Sequence, residues 1–310
     1  MLSDFFELLR LRIKAPTGRS IIFFRDVVVK VYESLDEGTY EYNLLQKIKS
    51  FKTEKFRVPS AIKFVRGLNS KSAIIMEKVK GMKLDDVIVS YLLFNKKESI
   101  KIFYCLGTAV KELHQLGMRG IKTYCLPTSI YELTREIANL IIQLDVLGLI
   151  NKKDYEQILH LIKKKANVNF SLFSKGFIHG ELYFTHVLLS NEKPVLIDFH
   201  RACKGPIYYD LAMFLLSMHS SFLYSKFRKK LDRLYDAFLR GYFGRVDENL
   251  FTSIVIAEVY LVLRETIAGL RNLKREKSLR GRLLTKIRIK KYIKVLNILT
   301  KDLRIRLSLC

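Results

Sequence analysis

The chain has 310 residues, 55 basic and 30 acidic side chains, and a formal charge of +25. About half of it is apolar, which supplies a sizeable core, and the length admits two modest domains or one domain of two lobes. Five prolines and fifteen glycines exclude collagen, linker arrays and low-complexity disorder. No stretch reaches the roughly 20 uninterrupted apolar residues of a membrane span. The best candidates, 251–263 and 137–150, are broken by Glu258 and Asp145. Asp4 and Glu7 fall where a secretory signal would be apolar. Cys105, Cys125, Cys203 and Cys310 form no CxxC pair, a usage that suits a reducing cytosol.

In chain order, residues 1–14 have the spacing of a short amphipathic helix. Runs 20–24 and 27–32 are β-rich around a turn at Arg25-Asp26. Residues 39–48 return to helical spacing, and 61–65 and 72–76 read as strands. From Leu84 onward the pattern is mainly helical, with helices predicted near 99–116, 129–147 and 152–166. A β-rich patch interrupts them, where 187–189 and 195–197 flank a turn at 190–194. Helices resume near 209–218, 225–242, 250–272 and 282–305. The pattern predicts an α+β chain: a small β-rich N-terminal lobe, 1–79, and a larger helical lobe, 80–310. The second lobe holds one hairpin, a helical insertion at about 120–170 and basic C-terminal helices.

The charge is uneven. Residues 271–310 hold 14 basic side chains against only Glu276 and Asp302. Leu283, Leu284, Ile287, Val295, Leu296, Ile298, Leu299 and Leu303 recur among them at roughly helical spacing, which gives a basic amphipathic helix. Such a helix can be a packed element with a solvated face, or can meet an anionic membrane surface or acidic substrate. No nucleic-acid motif accompanies the charge, so nucleic acid is not expected.

The densest polar cluster is Phe177-Ile-His-Gly-Glu-Leu-Tyr-Phe-Thr-His186, followed by Val195-Leu-Ile-Asp-Phe-His-Arg-Ala202. Three of the six histidines lie there, beside Glu181 and Asp198. The hairpin would hold His186 and Asp198 near one another. A carboxylate emerging from an apolar strand, as Asp198 does, needs a cation or donor partner. The histidine spacing matches no zinc signature.

These blocks resemble the protein-kinase-like superfamily of phosphotransferases. The matching segments are Val27-Val-Val-Lys30, His179-Gly-Glu181 through His186, Ile197-Asp198-Phe199 and Tyr209-Asp210-Leu-Ala. The last is typical of the aminoglycoside phosphotransferase and choline kinase branch. The site blocks are similar to the lipopolysaccharide core heptose kinase family, with its His-Arg-Asp-x-Tyr-x-x-His and Ile-Asp-Leu-His-Arg-Ala segments. The resemblance spans about 20–220 and implies a bilobal fold. It also implies transfer of the γ-phosphoryl group of ATP, with Mg²⁺ or alternatively Mn²⁺, to a hydroxyl.

Position by position, the resemblance implies that Lys30 holds the α- and β-phosphates and Glu41 fixes Lys30. Glu181 takes the catalytic aspartate position, His186 and Asp198 the metal-binding positions, and Asp210 braces the catalytic loop. Glu77–Val79 is the expected hinge whose backbone meets adenine. Lys30 is expected to face Asp198 across a cleft wide enough for a triphosphate. The phosphate-covering loop is weak: Ala15-Pro-Thr-Gly18-Arg-Ser20 offers Gly18 amides and Ser20 but no GxGxxG pattern. His114 reads as a helix-end structural residue.

Two departures stand out. Glu181 carries one methylene more than Asp, and positional errors of about 1 Å can cost 100-fold in rate. His186 is a poor Mg²⁺ ligand, although the heptose kinase family also has His there. Phosphoryl transfer asks a protein chiefly for positioning and charge neutralisation, which Lys30, Asp198 and Glu181 can supply. The expected acceptor is a sugar, a glycolipid or another small metabolite. Lys152, Lys153 and Lys163–Lys165 form a basic rim in the insertion that would attract an anionic acceptor. The rival readings are a catalytically impaired pseudokinase that binds nucleotide or a partner, and a protein kinase. The expected location is cytoplasmic, with peripheral membrane contact through 271–310.

Overall fold

The computed structural model describes residues 20–67, 71–124, 126–150, 155–156, 159, 170–191, 193–221, 224–276 and 278–309. The predicted helix at 1–14, Gly18, Lys152, Lys153, Lys163–Lys165 and most of 152–166 lie outside the described residues. The chain divides into two compact units. One holds the residues up to Phe94 together with Thr185–Ala202; the other holds Asn95–Phe184 and the chain from Cys203 onward. The sequence placed the boundary near Val79–Gly81 and left the hairpin with the helices.

The first unit is built on an antiparallel sheet of order β1-β2-β4-β3, from β1 (Ser20–Phe23), β2 (Val27–Tyr32), β3 (Ala61–Arg66) and β4 (Ser72–Glu77). The β-branched run of β2 alternates between two faces. Ile22, Val29, Val31 and Ala73 form one buried cluster, closed by Phe24, Val65 and Ile75. Lys30 and Tyr32 take the opposite parity and are buried. The helix α1 (Leu35–Ser50) buries Glu41, Leu44, Leu45 and Ile48, and Glu41 meets Lys30 and Tyr32. Asp36 and Glu37 in its first turn and Lys47 and Lys49 in its last complement the helix dipole. Gly38 lets α1 start close to the sheet, since a Cβ there would strike Ser72 and Tyr32.

A second sheet, order β5-β7-β8, joins β5 (Met82–Lys83) to the hairpin β7 (Val187–Ser190) and β8 (Lys193–Leu196). The backbone of Arg57 ties this hairpin to the first unit. Its N–H donates to Pro194 O at 3.0 Å, and its carbonyl accepts from Leu196 N at 3.0 Å. These tertiary bonds explain why the hairpin belongs with the N-terminal residues despite its distance in sequence. The helix α2 (Leu84–Phe94) completes the unit.

The second unit is mostly helical: α3 (Glu98–His114), α4 (Ile130–Val146), α5 (Tyr208–His219), α6 (Tyr224–Phe243), α7 (Glu248–Arg275) and α8 (Leu279–Leu309). One short antiparallel pair, β6 (Lys175–Ile178) and β9 (Cys203–Pro206), lies among them. Local caps set helix starts. Ser129 Oγ accepts from Glu132 N at 3.2 Å ahead of α4, and Asp247 Oδ1 accepts from Leu250 N at 2.7 Å ahead of α7. Gly107 of α3 and Gly241 of α6 face the carbonyls of Phe238 and Tyr104, so these helices pack with their backbones almost touching. The apolar run of α7 is interior core. Glu258 within it is fully buried, with its Oε1 at 2.6 Å from His219 Nδ1. Among the described residues, no helix is long and apolar enough to cross a membrane. The α+β class, with a small β-rich N-terminal region and a helical C-terminal one, is as the sequence pattern predicts.

Candidate active site

In the first unit, Lys30, Glu41, Asp198, His186 and His200 converge. Lys30 projects from the central strand β2 and is only 5% exposed. Its Nζ lies 3.0 and 2.8 Å from the two Glu41 oxygens and 2.5 Å from Asp198 Oδ1. Burial works to lower the Lys30 pKa, but the charges of Glu41 and Asp198 outweigh it and hold it above the ordinary value. Glu41 also accepts from Tyr32 Oη at 2.5 Å and from Phe199 N at 3.2 Å. One carboxylate therefore fixes the lysine, a strand tyrosine and the backbone just after Asp198.

Asp198 sits at the end of the hairpin with φ 70° and ψ 62°, a left-handed conformation uncommon outside glycine. Ile197 N–H donates to His186 O at 3.0 Å before it, and a 3₁₀ turn, Phe199–Arg201, follows. This frame turns the carboxylate toward Lys30 and two histidines. His200 Nδ1 lies 2.6 Å from Oδ1, and His186 Nε2 lies 3.6 Å from Oδ2. Burial works to raise the Asp198 pKa, but the His200 hydrogen bond and the Lys30 charge hold it well below the usual carboxylate range. Asp198 is thus ionised at neutral pH.

One expectation is corrected. Lys30 and Asp198 do not stand apart by the width of a triphosphate; they form a direct ion pair. In a mostly buried setting, opposite charges attract strongly enough to close such a gap. His200 was not expected as a partner of Asp198. It lies two residues along the chain, and only the left-handed turn brings its ring back onto the carboxylate.

The other expected first-unit residues fall as follows. Ser20 opens β1 opposite Val31. Glu77 ends β4; its carboxylate takes Arg57 Nη1 at 2.8 Å and Ser60 N at 3.2 Å. Burial works to raise the Glu77 pKa, but these bonds hold it below the ordinary value. The amides of Glu77 and Lys78 are spent on Ser60 O and Asp26 O.

For a divalent cation, oxygen donors are the test. Glu41, Asp198 and His200 offer ligand atoms within 4.8 Å of one another. Glu41 is committed to Lys30, Tyr32 and Phe199, and Asp198 Oδ1 to Lys30 and His200, so Asp198 Oδ2, which faces His186, is the oxygen that would anchor a cation in this unit. This set fits a carboxylate-anchored cation completed by ligand oxygens.

In the second unit, the loop after β6 carries His179, Gly180 and Glu181. Asp210, at the start of α5 and fully buried, accepts from His179 N at 2.6 Å and Gly180 N at 2.9 Å. His114 Nε2 lies 3.1 Å from the same carboxylate, and His114 Nδ1 lies 2.7 Å from Tyr242 Oη. Gly180 has φ 79°, which a side chain would oppose. Asp210 thus braces the loop, and His114 at the end of α3 braces Asp210. Glu181 is half-buried, and its own amide reaches His179 Nδ1 at 3.4 Å.

An aromatic group in the same unit carried no sequence signal. Arg264 of α7 lies over the rings of Tyr124 and Tyr209, 5.5 and 5.6 Å from their centroids. Its Nη1 is 3.4 Å from Tyr209 Oη. Tyr183, two residues from Glu181, has its pKa pushed up by burial and by the charges of Glu265 and Glu181.

The family model described as phosphotransferase enzyme family, APH, matches residues 19–250. None of the curated proteins matches this chain in sequence. Among solved structures, the chain is similar to APH(2")-IIIa in its complex with GDP and kanamycin. That pair shares 16% identity at a TM-score of 0.65, covering 94% of this chain and 92% of the other. A choline/ethanolamine kinase family protein from Mesorhizobium loti shares 12% identity at TM-score 0.58, over 98% and 100% of the two chains. Amicoumacin kinase hAmiN, in complex with AMP-PNP, Ca²⁺ and Ami, shares 13% at 0.56, over 94% and 93%. These likenesses show the bilobal kinase-like fold, and the family match, which spans most of the sequence, shows that the chain belongs to the APH phosphotransferase enzyme family.

Proposed function

We propose that the protein transfers the γ-phosphoryl group of ATP to a hydroxyl of a sugar, a glycolipid of lipopolysaccharide-core type or another small metabolite. The observation that carries this reading is the Lys30–Glu41–Asp198 constellation: a buried cation fixed by one carboxylate beside a second, ionised one. Lys30 would exchange its bond to Asp198 for phosphate oxygens. Asp198, with His186 beside its Oδ2, would hold Mg²⁺ or Mn²⁺. When bound, that ion neutralises charge on the phosphates. Val79 would offer backbone to adenine, the Glu77 amide being bound to Ser60 O, and Gly18 and Ser20 would lie along the phosphates. Glu181 would orient the acceptor hydroxyl and take its proton late, as the oxygen–phosphorus bond forms and ADP departs. Asp210 keeps the amides beside Glu181 in place.

Support for a small-molecule acceptor comes from the structures similar to this one, whose ligands are kanamycin and Ami beside GDP or AMP-PNP. Peripheral contact with an anionic membrane on the cytoplasmic side would use the start of α8. Leu279 there is 85% exposed, and Leu283, Leu284 and Ile287 are also exposed among basic neighbours. A second reading rests on Glu181: a chain with the longer side chain could bind nucleotide without turnover.

Phosphotransfer to a panel of sugars and aminoglycosides decides between them. The wild type is expected to be active and Asp198→Asn at least roughly 100-fold slower, the size of losing a charge-stabilising group. An inert wild type that gains activity as Glu181→Asp would instead establish the binding module. Flotation with anionic vesicles, compared with a chain ending before Lys277, tests the membrane contact; unchanged binding removes α8 from it.

A further inference from the structure

The second unit contains a cavity of about 700 Å³ that the proposed transfer reaction does not use. Lys111 of α3, Arg119 in the following loop, Lys175 of β6 and Lys204 of β9 line it, and among the described residues no carboxylate does. The β6–β9 register sets Lys204 opposite Phe177, two residues along from Lys175. Lys175 and Lys204 therefore project from the same face of one ladder as diagonal neighbours, close enough to reach one ligand. The backbone of Lys204 is pinned as well: its N–H donates to Lys122 O at 2.8 Å and its carbonyl accepts from Tyr124 N at 3.1 Å. The ladder fixes the spacing of the two backbones, and with it the spacing of the charges they offer an anion.

The cavity wall also includes His114 and Tyr242. Tyr242 Oη bonds His114, His114 bonds Asp210, and Asp210 accepts the amides of His179 and Gly180. A continuous hydrogen-bonded chain thus joins the wall of the cavity to the loop that bears Glu181.

We infer that this cavity is a binding site for a compact anion with two or more phosphate groups, and that its occupancy is felt at the catalytic loop through Tyr242, His114 and Asp210. Its volume falls in the range of small-ligand pockets. The four cations on its wall favour a polyphosphate over a monoanion. The inference stands on the second unit alone and survives failure of the transfer reaction.

The probe is inorganic pyrophosphate, titrated calorimetrically into the full chain. Every variant is made in a Lys30→Met background, which removes the phosphate-holding role proposed for Lys30 in the other unit, and Lys30→Met itself is expected to bind pyrophosphate. Lys175→Glu/Lys204→Glu is expected to bind at least roughly tenfold more weakly, as reversal of two charges at close range requires. Lys111→Gln/Arg119→Gln gives a milder loss, and circular dichroism checks that each variant is folded. Pyrophosphate binding that survives in both double variants, or that is abolished by Lys30→Met, overturns the site. Vesicles carrying a phosphorylated inositol lipid separate the sources. Binding lost in the Glu double variant assigns a lipid headgroup, binding of pyrophosphate alone assigns a free phosphate compound, and either supports the site. Hydrogen exchange reads the link. Pyrophosphate is expected to slow the His179 and Gly180 amides in Lys30→Met and not once Tyr242→Phe is added; no slowing in Lys30→Met refutes the link.

Discussion

Glu41→Gln is the sharpest probe of the first-unit constellation, because it keeps shape and removes only charge. Glu41 is 1% exposed, and every group around its carboxylate is a donor: Lys30 Nζ on both oxygens, Tyr32 Oη, and Phe199 N. A glutamine has one acceptor oxygen. Whichever way its amide turns, the NH₂ faces a donor. Breaking a buried ion pair by removing one partner costs about 3–5 kcal/mol. Here Lys30 retains Asp198 at 2.5 Å, so the ionic loss belongs at the lower end of that range. An amide proton left without an acceptor adds about 1 kcal/mol. The expected loss is about 3–4 kcal/mol of unfolding free energy. The chain has no tryptophan, so urea unfolding is best followed by far-ultraviolet circular dichroism. In a Lys30→Met background the same change is expected to cost about 1 kcal/mol, because the ion pair is already gone. A Glu41→Gln protein within about 0.5 kcal/mol of wild type, the range of an ordinary surface change, would refute the reasoning.

Three further outcomes follow from the geometry. Asp210→Ala removes the acceptor of His179 N and Gly180 N and the partner of His114; it is expected to cost about 3 kcal/mol, and chemical denaturation against wild type measures this. Gly241→Ala, although it raises helix propensity, drives a methyl group into Tyr104 O; a loss of about 1–3 kcal/mol is expected, and a gain in melting temperature would contradict it. The pKa of Asp198 is depressed below its ordinary 3.8 by His200 and Lys30 against the cost of burial. Its stabilisation is therefore fully present above that value and is lost as pH falls toward the lower folded one. The stability gap between wild type and Asp198→Asn should be constant at neutral pH and narrow below about pH 4. A gap that narrows already at pH 6 would assign the effect to another group.

Much of the fold was legible because local signals agreed with it. The β-branched run at Val27–Tyr32, the amphipathic spacing of α1, α3 and α4, and the apolar hairpin all read correctly, since each has one face to bury and a clear period. The β6–β9 pair was not legible. Each of its strands carries lysine and glycine, β9 also proline, and they are stable only because each supplies the other's ladder. Likewise the hairpin's place in the first unit depends on Arg57, more than 130 residues from β8, which no local pattern encodes.

The sequence by itself determined which residues cannot be buried alone. A lysine in an apolar strand and carboxylates in apolar loops are costly unless paired, so their identity announces a partner. Only the tertiary structure decided who the partners are. Glu41 collects Lys30, Tyr32 and Phe199; the left-handed turn at Asp198 folds His200 back onto its carboxylate; His114 and Tyr242 stand behind Asp210; and Lys175 and Lys204 share one face of a ladder. Electrostatic and hydrogen-bond energies depend on distances of a few ångströms between atoms far apart in the chain, and those distances come into being only with the packed fold.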